Sequence, residues 1–93
     1  MSAGDHVASV LRSIAANVKA ARARRGMTQE ALAEAATVDL RFLQKVETGS
    51  ANLSITILVR LADALHLKPG LLLRSARLPP PRRGRPPSKR PAK

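Results

Sequence analysis

Apolar residues in the first third of the chain recur at three- and four-residue steps, which is the spacing of one face of a helix. The residues in this stripe are Val7, Val10, Leu11, Ile14, Val18 and Ala21. Gly26 follows the stripe, and a residue just past the end of a helix often needs a positive φ that glycine adopts readily. The pattern therefore predicts a long first helix over residues 7–25.

Two short helices are predicted next. Thr28 is an N-cap residue for the segment QEALAEAA, and Asp39 is an N-cap residue for a third helix that Gly49 ends, so that this helix covers roughly residues 39–48. Only residues 36–39 separate the two helices. So short a connection forces a steep crossing, as in a helix-turn-helix.

The rest of the body is also predicted to be helical. Ser54 caps a fourth helix whose apolar face consists of Leu58, Leu61, Ala62 and Leu65, and Pro69 suits the first turn of a short fifth helix. No alternating β pattern or hairpin turn is present. We therefore predict an all-α fold of five helices.

The fifth helix carries three consecutive leucines, Leu71, Leu72 and Leu73. They cannot all turn inward on so short a segment, so a partner subunit would bury the excess and a homodimer is expected. The alternative, that the leucines only cover the end of the core, stays open.

The composition changes after residue 73. Six of the seven prolines lie beyond residue 78, in LPPPRRGRPPSKRPAK, where a single large apolar side chain is present. Because such a segment cannot form a core, we predict a helical domain over residues 1–73 and a disordered or polyproline-like arm over residues 74–93.

Charge points to the partner. The chain carries 17 Lys and Arg against 6 Asp and Glu, a net charge of +11, and eight of the cations lie within residues 74–93, which hold no acid. Lysine and arginine gain affinity for nucleic acid by displacing counterions from phosphates. A polyanion is the expected partner, although charge that serves only solubility is the alternative.

Catalysis is not expected. The chain has no Cys, and His6 and His66 are far apart with no carboxylate at metal-ligand spacing. No glycine-rich phosphate loop or Ser-His-Asp pattern is present, so no metal, cofactor or enzymatic activity is predicted. No membrane span or export signal is apparent, which favours a cytoplasmic protein.

The predicted third helix has a distinctive outer face. Once Leu43 and Val46 turn inward, the side chains left outside are Leu40, Arg41, Gln44, Lys45 and Thr48. In the DNA major groove, Arg or Lys binds guanine, Gln binds adenine, and an apolar group meets the thymine methyl. With one aromatic residue in the chain there is no platform for stacking single-stranded bases, so duplex DNA is the favoured partner.

An ordered set of residues resembles the lambda-repressor and Cro type of helix-turn-helix domain over roughly residues 10–73. The matching positions are Ile14, Val18, Ala21-Arg22, Gly26-Met27-Thr28-Gln29-Glu30-Ala31-Leu32-Ala33, Ala36-Thr37-Val38, Val46-Glu47, Gly49 and 58–65. The resemblance implies five helices, DNA binding without catalysis, and a dimer on a near-palindromic site.

The resemblance also implies roles for single residues. Gln29, with Thr28 and Thr48, is assigned to phosphate binding, whereas Arg22 and Glu47 correspond to an ion pair between the first and third helices. The family usually has glycine where Thr37 stands. Because a β-branched residue tolerates positive φ poorly, a reshaped turn is expected there.

Within the basic arm, Arg82-Arg83-Gly84-Arg85-Pro86 resembles the core of an AT-hook, whose arginines enter a narrow minor groove. Nonspecific phosphate binding is the alternative. For the whole chain, the leading hypothesis is a sequence-specific transcriptional regulator. The alternatives are an antitoxin-type module with a protein partner and autoregulatory DNA binding, and a nucleoid-type DNA binder with little base preference.

Overall fold

The computed structural model describes residues 2–77, and five helices account for most of this range. They are α1 (Ala3–Arg24), α2 (Gln29–Ala36), α3 (Leu40–Glu47), α4 (Ile55–Ala64) and α5 (Pro69–Leu72). No strand occurs in residues 2–77, so the predicted all-α, five-helix fold is confirmed. The AT-hook-like residues Arg82, Arg83, Gly84, Arg85 and Pro86 lie outside the described residues.

Side-chain caps explain where the first four helices begin. The predicted caps are confirmed: the hydroxyls of Thr28 and Ser54 accept from backbone N–H groups three residues on, at 3.0 and 3.1 Å. The Asp39 carboxylate accepts from the N–H groups of two residues of α3. A fourth cap was not predicted. Ser2 and Asp5 form a capping box, so α1 begins at Ala3 rather than near Val7.

The same four helices end alike, each followed by a residue in the left-handed conformation. These residues are Gly26, Thr37, Gly49 and His66, with φ between 57° and 77°. The next N–H then bonds back to a carbonyl of the last turn, as Val38 N does to Ala33 O at 2.9 Å. The expectation of a reshaped turn at Thr37 was wrong, because this threonine adopts the conformation of a glycine, with φ 57° and ψ 50°.

The core lies where α1, α2, α3 and α4 meet. Its fully buried large side chains are Val18, Leu32, Leu43, Val46, Leu61, Leu65 and Leu72. Ala33 and Ala36 are buried where α2 packs against α3 and α4, and such small side chains permit the steep crossing of a helix-turn-helix. The predicted inner faces of α1 and α4 are confirmed from Ile14 to Ala21 and from Leu58 to Leu65.

The first turns of α1 are less covered than their apolar pattern suggests. Val7 is 51% exposed, and it lies beside a groove of about 410 Å³ between α1 and the start of α4. Ile55, 72% exposed, and Leu73, 46% exposed, also line this groove.

The three leucines of the predicted dimer surface separate in the structure. Leu72 is fully buried within the single chain, so a partner subunit could not contact its side chain. The assignment of Leu72 to a dimer interface is therefore corrected: it is a core residue. Leu71 and Leu73 point away from the core, at 39% and 46% exposure. The physical reason is the single turn of α5, which directs only its middle leucine inward.

The chain does not leave the body after residue 73, although the predicted tail begins at residue 74. It continues along α1, where Ser13 and Asn17 form hydrogen bonds with the backbone of residues 72–76. The described body therefore includes residues 74–77 of the segment assigned to the tail.

Candidate nucleic-acid interface

The outer face of α3 presents the base-reading residues predicted from the sequence. Arg41, Gln44 and Lys45 are exposed, and their side chains make no hydrogen bond or ion pair with any residue in the described range 2–77. The opposite face is sealed, because Leu43 and Val46 are at most 2% exposed. The structure therefore brings the three polar side chains together, free of internal partners among those residues.

Leu40 and Phe42 differ from the simple division into an inner and an outer face. Leu40 was predicted to point outward with the polar residues, yet it is half-buried and packs against the core cluster. Phe42 is likewise half-buried against that cluster. Only part of the Leu40 side chain is thus available for contact with a base.

Hydrogen bonds hold the last turn of α3. The carbonyl oxygen of Lys45 accepts from the Thr48 hydroxyl at 3.0 Å, from the Ser50 N–H at 3.0 Å and from the Ser50 hydroxyl at 3.3 Å. The two hydroxyls also lie 2.9 Å apart. Thr48 is exposed, as a phosphate-binding residue requires, but its hydroxyl already has partners within the fold.

The ion pair implied by the resemblance is present and connects three helices. Arg22 of α1 donates from Nε to Oε2 of Glu47 at 2.7 Å and from Nη2 to Oε1 at 3.0 Å. The Glu47 side chain is 2% exposed and that of Arg22 is 19% exposed. Arg22 also donates from Nη1 to the Met27 carbonyl at 2.9 Å, so the guanidinium holds the connection before α2 as well.

Gln29, assigned to phosphate binding, joins this network. Its Nε2 donates to Oε1 of Glu47 at 2.9 Å, so the first residue of α2 is linked directly to the last residue of α3. The amide keeps one N–H and its oxygen for other partners. Thr28, one residue earlier, uses a lone pair of its hydroxyl to cap α2 and retains the hydroxyl hydrogen as a donor.

The exposed charged side chains of α3 are all positive. Arg41 and Lys45 are exposed, whereas the only carboxylate within the helix, Glu47, is buried and paired with Arg22. Asp39 stands just before the helix, where its carboxylate accepts from two backbone N–H groups. Pairing the acids internally leaves the outer face of α3 positive, which suits a polyanion.

Sequence reasoning missed two sets of polar contacts. Arg60 of α4 donates from Nη1 to the carbonyl of Thr37 at 3.4 Å, at the turn between α2 and α3. Ser13 and Asn17 bind the backbone after α5. The signal in the second case was a serine next to Ile14 on the buried side of α1, because a buried hydroxyl requires a partner.

The class of protein follows from this geometry. Two short helices, joined by residues 37–39, pack against each other, and the second presents a cationic, hydrogen-bonding face beside the N-terminus of the first, as in helix-turn-helix DNA-binding domains. The sequence profile of a helix-turn-helix family of the lambda-repressor type matches residues 18–72. The chain belongs to this family, which comprises DNA-binding regulators rather than enzymes.

Solved structures with similar folds support the same family assignment. The restriction-modification controller protein C.AhdI from Aeromonas hydrophila is 31% identical, with a TM-score of 0.65 over 67% of this chain and 94% of that one. The clp gene regulator ClgR from C. glutamicum is 28% identical, with a TM-score of 0.64 over 69% and 83%. A hypothetical transcription factor, NHTF from Neisseria, is 26% identical, with a TM-score of 0.69 over 71% and 76%.

No curated protein matches the sequence significantly. The family and the structural neighbours nevertheless define the function at one level: the chain is a sequence-specific DNA-binding transcriptional regulator. Among residues 2–77, no helix is both long and apolar enough to cross a membrane.

Proposed function

We propose that α3 enters the major groove and reads base edges with Arg41, Gln44 and Lys45. The observation that carries this proposal is the exposure of these three side chains without partners among residues 2–77. Arg41 and Lys45 suit guanine, and Gln44 suits adenine. The exposed part of Leu40 meets a thymine methyl, a contact that needs no hydrogen bond.

Phosphates on either side of the groove are bound by Thr28, Gln29 and Thr48. The hydroxyl hydrogen of Thr28 and the second amide hydrogen of Gln29 remain as donors at the N-terminus of α2, where the helix dipole favours an anion. Thr48 lies at the other end of α3. Its hydroxyl must exchange the internal bond to the Lys45 carbonyl for a phosphate oxygen.

The regulator acts as a homodimer on a near-palindromic operator. A single α3 reaches few base pairs, whereas two copies related by a two-fold axis read two half-sites. The exposed apolar side chain of Leu73 supplies a surface for a second copy together with Val7 and Ile55, which line the same groove. Leu71, also exposed, lies at the edge of this segment. A dimer bound over a promoter represses transcription.

The basic tail, with Arg82, Arg83 and Arg85, adds phosphate or minor-groove contacts.

The base-reading role is tested on an operator selected from random duplexes. Replacing Arg41 or Lys45 by Ala should cost about 1–3 kcal/mol on the selected site and relax its base preference, because the variant cannot form the bidentate hydrogen bonds to a base edge. Lys68→Ala is the matched control, since this exposed lysine precedes α5 and its side chain makes no capping hydrogen bond there. Equal losses on selected and random duplexes would show that Arg41 contacts only the backbone.

The tail is tested by the salt dependence of binding. Replacing Arg82, Arg83 and Arg85 by Gln should weaken binding to every duplex and reduce the slope of log affinity against log salt by about 0.9 for each phosphate that the tail no longer neutralises. An unchanged slope would leave the tail no role in phosphate binding.

A further inference from the structure

The C-terminal end of α3, where Thr48 is proposed to bind a phosphate, carries hydroxyls but no charge of its own. Thr48 and Ser50 place their hydroxyl oxygens 2.9 Å apart there, and both residues are exposed. Between Lys45 and Arg60 the sequence contains no cation, so the connection from α3 to α4 does not supply one. The carbonyl end of a helix carries the negative end of its dipole, which opposes an anion. A phosphate bound at this end therefore requires a positive charge from another part of the fold.

Arg12 of α1 lies at the C-terminal end of α3. A β-carbon added to Gly49, the residue between the two hydroxyl residues, would lie 3.1 Å from Cγ of Arg12 and 3.4 Å from its Cα. The Gly49 backbone thus packs directly against the first carbons of the Arg12 side chain. This close approach, together with a φ of 77°, accounts for glycine at position 49. No local pattern connects two residues so distant in sequence.

The guanidinium of Arg12 is available to a ligand. Arg12 is exposed, and its side chain forms no hydrogen bond or ion pair with any residue in the range 2–77. Arg22, another arginine of α1, is instead engaged with Glu47 and with the Met27 carbonyl. Because Glu47 is the acid of α3 and is already paired, it does not compete for the Arg12 guanidinium.

We infer that Arg12 is a phosphate-binding residue, which supplies the positive charge for a DNA phosphate bound beside Thr48 and Ser50 at the C-terminal end of α3. The inference rests on the proposed function, because α3 must lie in the major groove for this phosphate to be within reach. The Thr48 hydroxyl has to give up an internal bond to bind a phosphate, whereas the Arg12 guanidinium does not. Its planar fork of N–H donors matches two phosphate oxygens at once.

The expected signature is electrostatic. Each neutralised phosphate contributes about 0.9 to the slope of log affinity against log salt, so a dimer should lose about 1.8 when both copies of Arg12 become neutral. Raising the salt from about 50 mM to about 200 mM should then lower the affinity of the native chain about twelvefold more than that of the neutral variant. The change in slope should appear on selected and random duplexes alike, because a phosphate carries no sequence information.

The test measures affinity for both kinds of duplex by fluorescence anisotropy across this salt range, for the full chain and three variants. Arg12→Gln should show the reduced slope. Arg12→Lys keeps the charge and an aliphatic stem against Gly49, so it should retain most of the slope. Arg74→Gln is the matched control and should leave the slope unchanged, because it removes an exposed arginine that lies after α5, beside Leu67 and Leu71.

Neutral phosphate analogues locate the contact. The selected operator is prepared with single phosphates replaced, one position at a time, by uncharged methylphosphonate. One position in each half-site should weaken binding of the native chain and of Arg74→Gln, yet have little effect on Arg12→Gln, because that variant has already lost the contact. If every position weakens the native chain and Arg12→Gln equally, Arg12 contacts no phosphate and the inference is overturned.

The outcomes separate the inference from the proposed function. If Arg41→Ala loses equally on selected and random duplexes, base reading by α3 fails, and the inference fails with it. If Arg41→Ala relaxes the base preference but Arg12→Gln loses no more slope than Arg74→Gln, the inference alone is overturned. An equal loss of slope in Arg12→Gln and Arg12→Lys would assign the effect to packing against Gly49 and would also overturn it.

Discussion

Thr37 occupies a backbone conformation that a glycine would adopt without strain, so Thr37→Gly should stabilise the protein. Threonine is β-branched, and at φ 57° and ψ 50° its Cβ approaches the following carbonyl. The side chain is exposed and makes no hydrogen bond within the described residues, so its removal takes little from the fold. The backbone bonds of the turn, from Thr37 N to Glu34 O and from Val38 N to Ala33 O, are available to glycine as well.

Two opposing free-energy terms set the expected change in stability for Thr37→Gly. Releasing a non-glycine residue from the left-handed region gains about 1–2 kcal/mol. Glycine loses more conformational freedom on folding, which costs about 0.5–1 kcal/mol. The expected net gain is about 0.5–1 kcal/mol. For a domain of this size, 1 kcal/mol corresponds to about 4–8 °C in Tm, so the gain is readily measured.

The assay is thermal and urea-induced unfolding followed by circular dichroism, with the urea m-value compared between variants. Thr48→Gly is the matched control. Thr48 is the residue just after α3, at φ −97°, where glycine relieves no strain. The substitution removes the Thr48 hydroxyl bond to the Lys45 carbonyl, so this variant should be less stable. A Thr37→Gly protein that unfolds at lower urea with an unchanged m-value would refute the assignment of strain to the turn.

Three further predictions follow from the described contacts. Glu47→Ala should destabilise the fold by about 3–5 kcal/mol in urea unfolding, because Arg22 would be left partly buried and unpaired; a change below about 0.5 kcal/mol would contradict this. Gln29→Ala should weaken binding to selected and random duplexes alike, because it removes a phosphate donor, whereas a loss confined to the selected operator would assign Gln29 to base reading. Leu73→Asp should shift the protein toward monomer in analytical ultracentrifugation while Lys68→Asp should not, and an unchanged sedimentation profile for Leu73→Asp would remove this surface from the interface.

The helix boundaries and the exposed polar face of α3 were predictable because they depend on neighbours in sequence. Thr28, Asp39 and Ser54 cap their helices through groups two or three residues away, and the periodicity of α3 alone separates Leu43 and Val46 from Arg41 and Lys45. The start of α1 was missed although Ser2 and Asp5 have the spacing of a capping box. Its apolar stripe begins only at Val7, so periodicity pointed to a later start.

Contacts between distant positions could not be derived from local patterns. The Arg22–Glu47 pair was expected only through the family resemblance, and the bonds between Ser13 and Ala76 join residues with no shared motif. The inward turn of Leu72, too, depends on where the single turn of α5 packs. Thr37 shows the opposite case, since its local preference against a left-handed turn is overridden by the packing of α2 against α3 and α4.

The bonds that converge on the Lys45 carbonyl have a consequence for operator choice. The Ser50 N–H bond to this carbonyl fastens the end of α3 to the following loop, while the ion pair of Glu47 fastens it to α1, so in the proposed complex the helix would meet DNA as a fixed element. In the proposed dimer, the protein would set the distance between two such helices, and a duplex whose half-sites do not match this distance would have to deform. In such a complex, base pairs between the half-sites that no side chain touches would be selected for how easily they twist and kink, and flexible pyrimidine–purine steps would be favoured there.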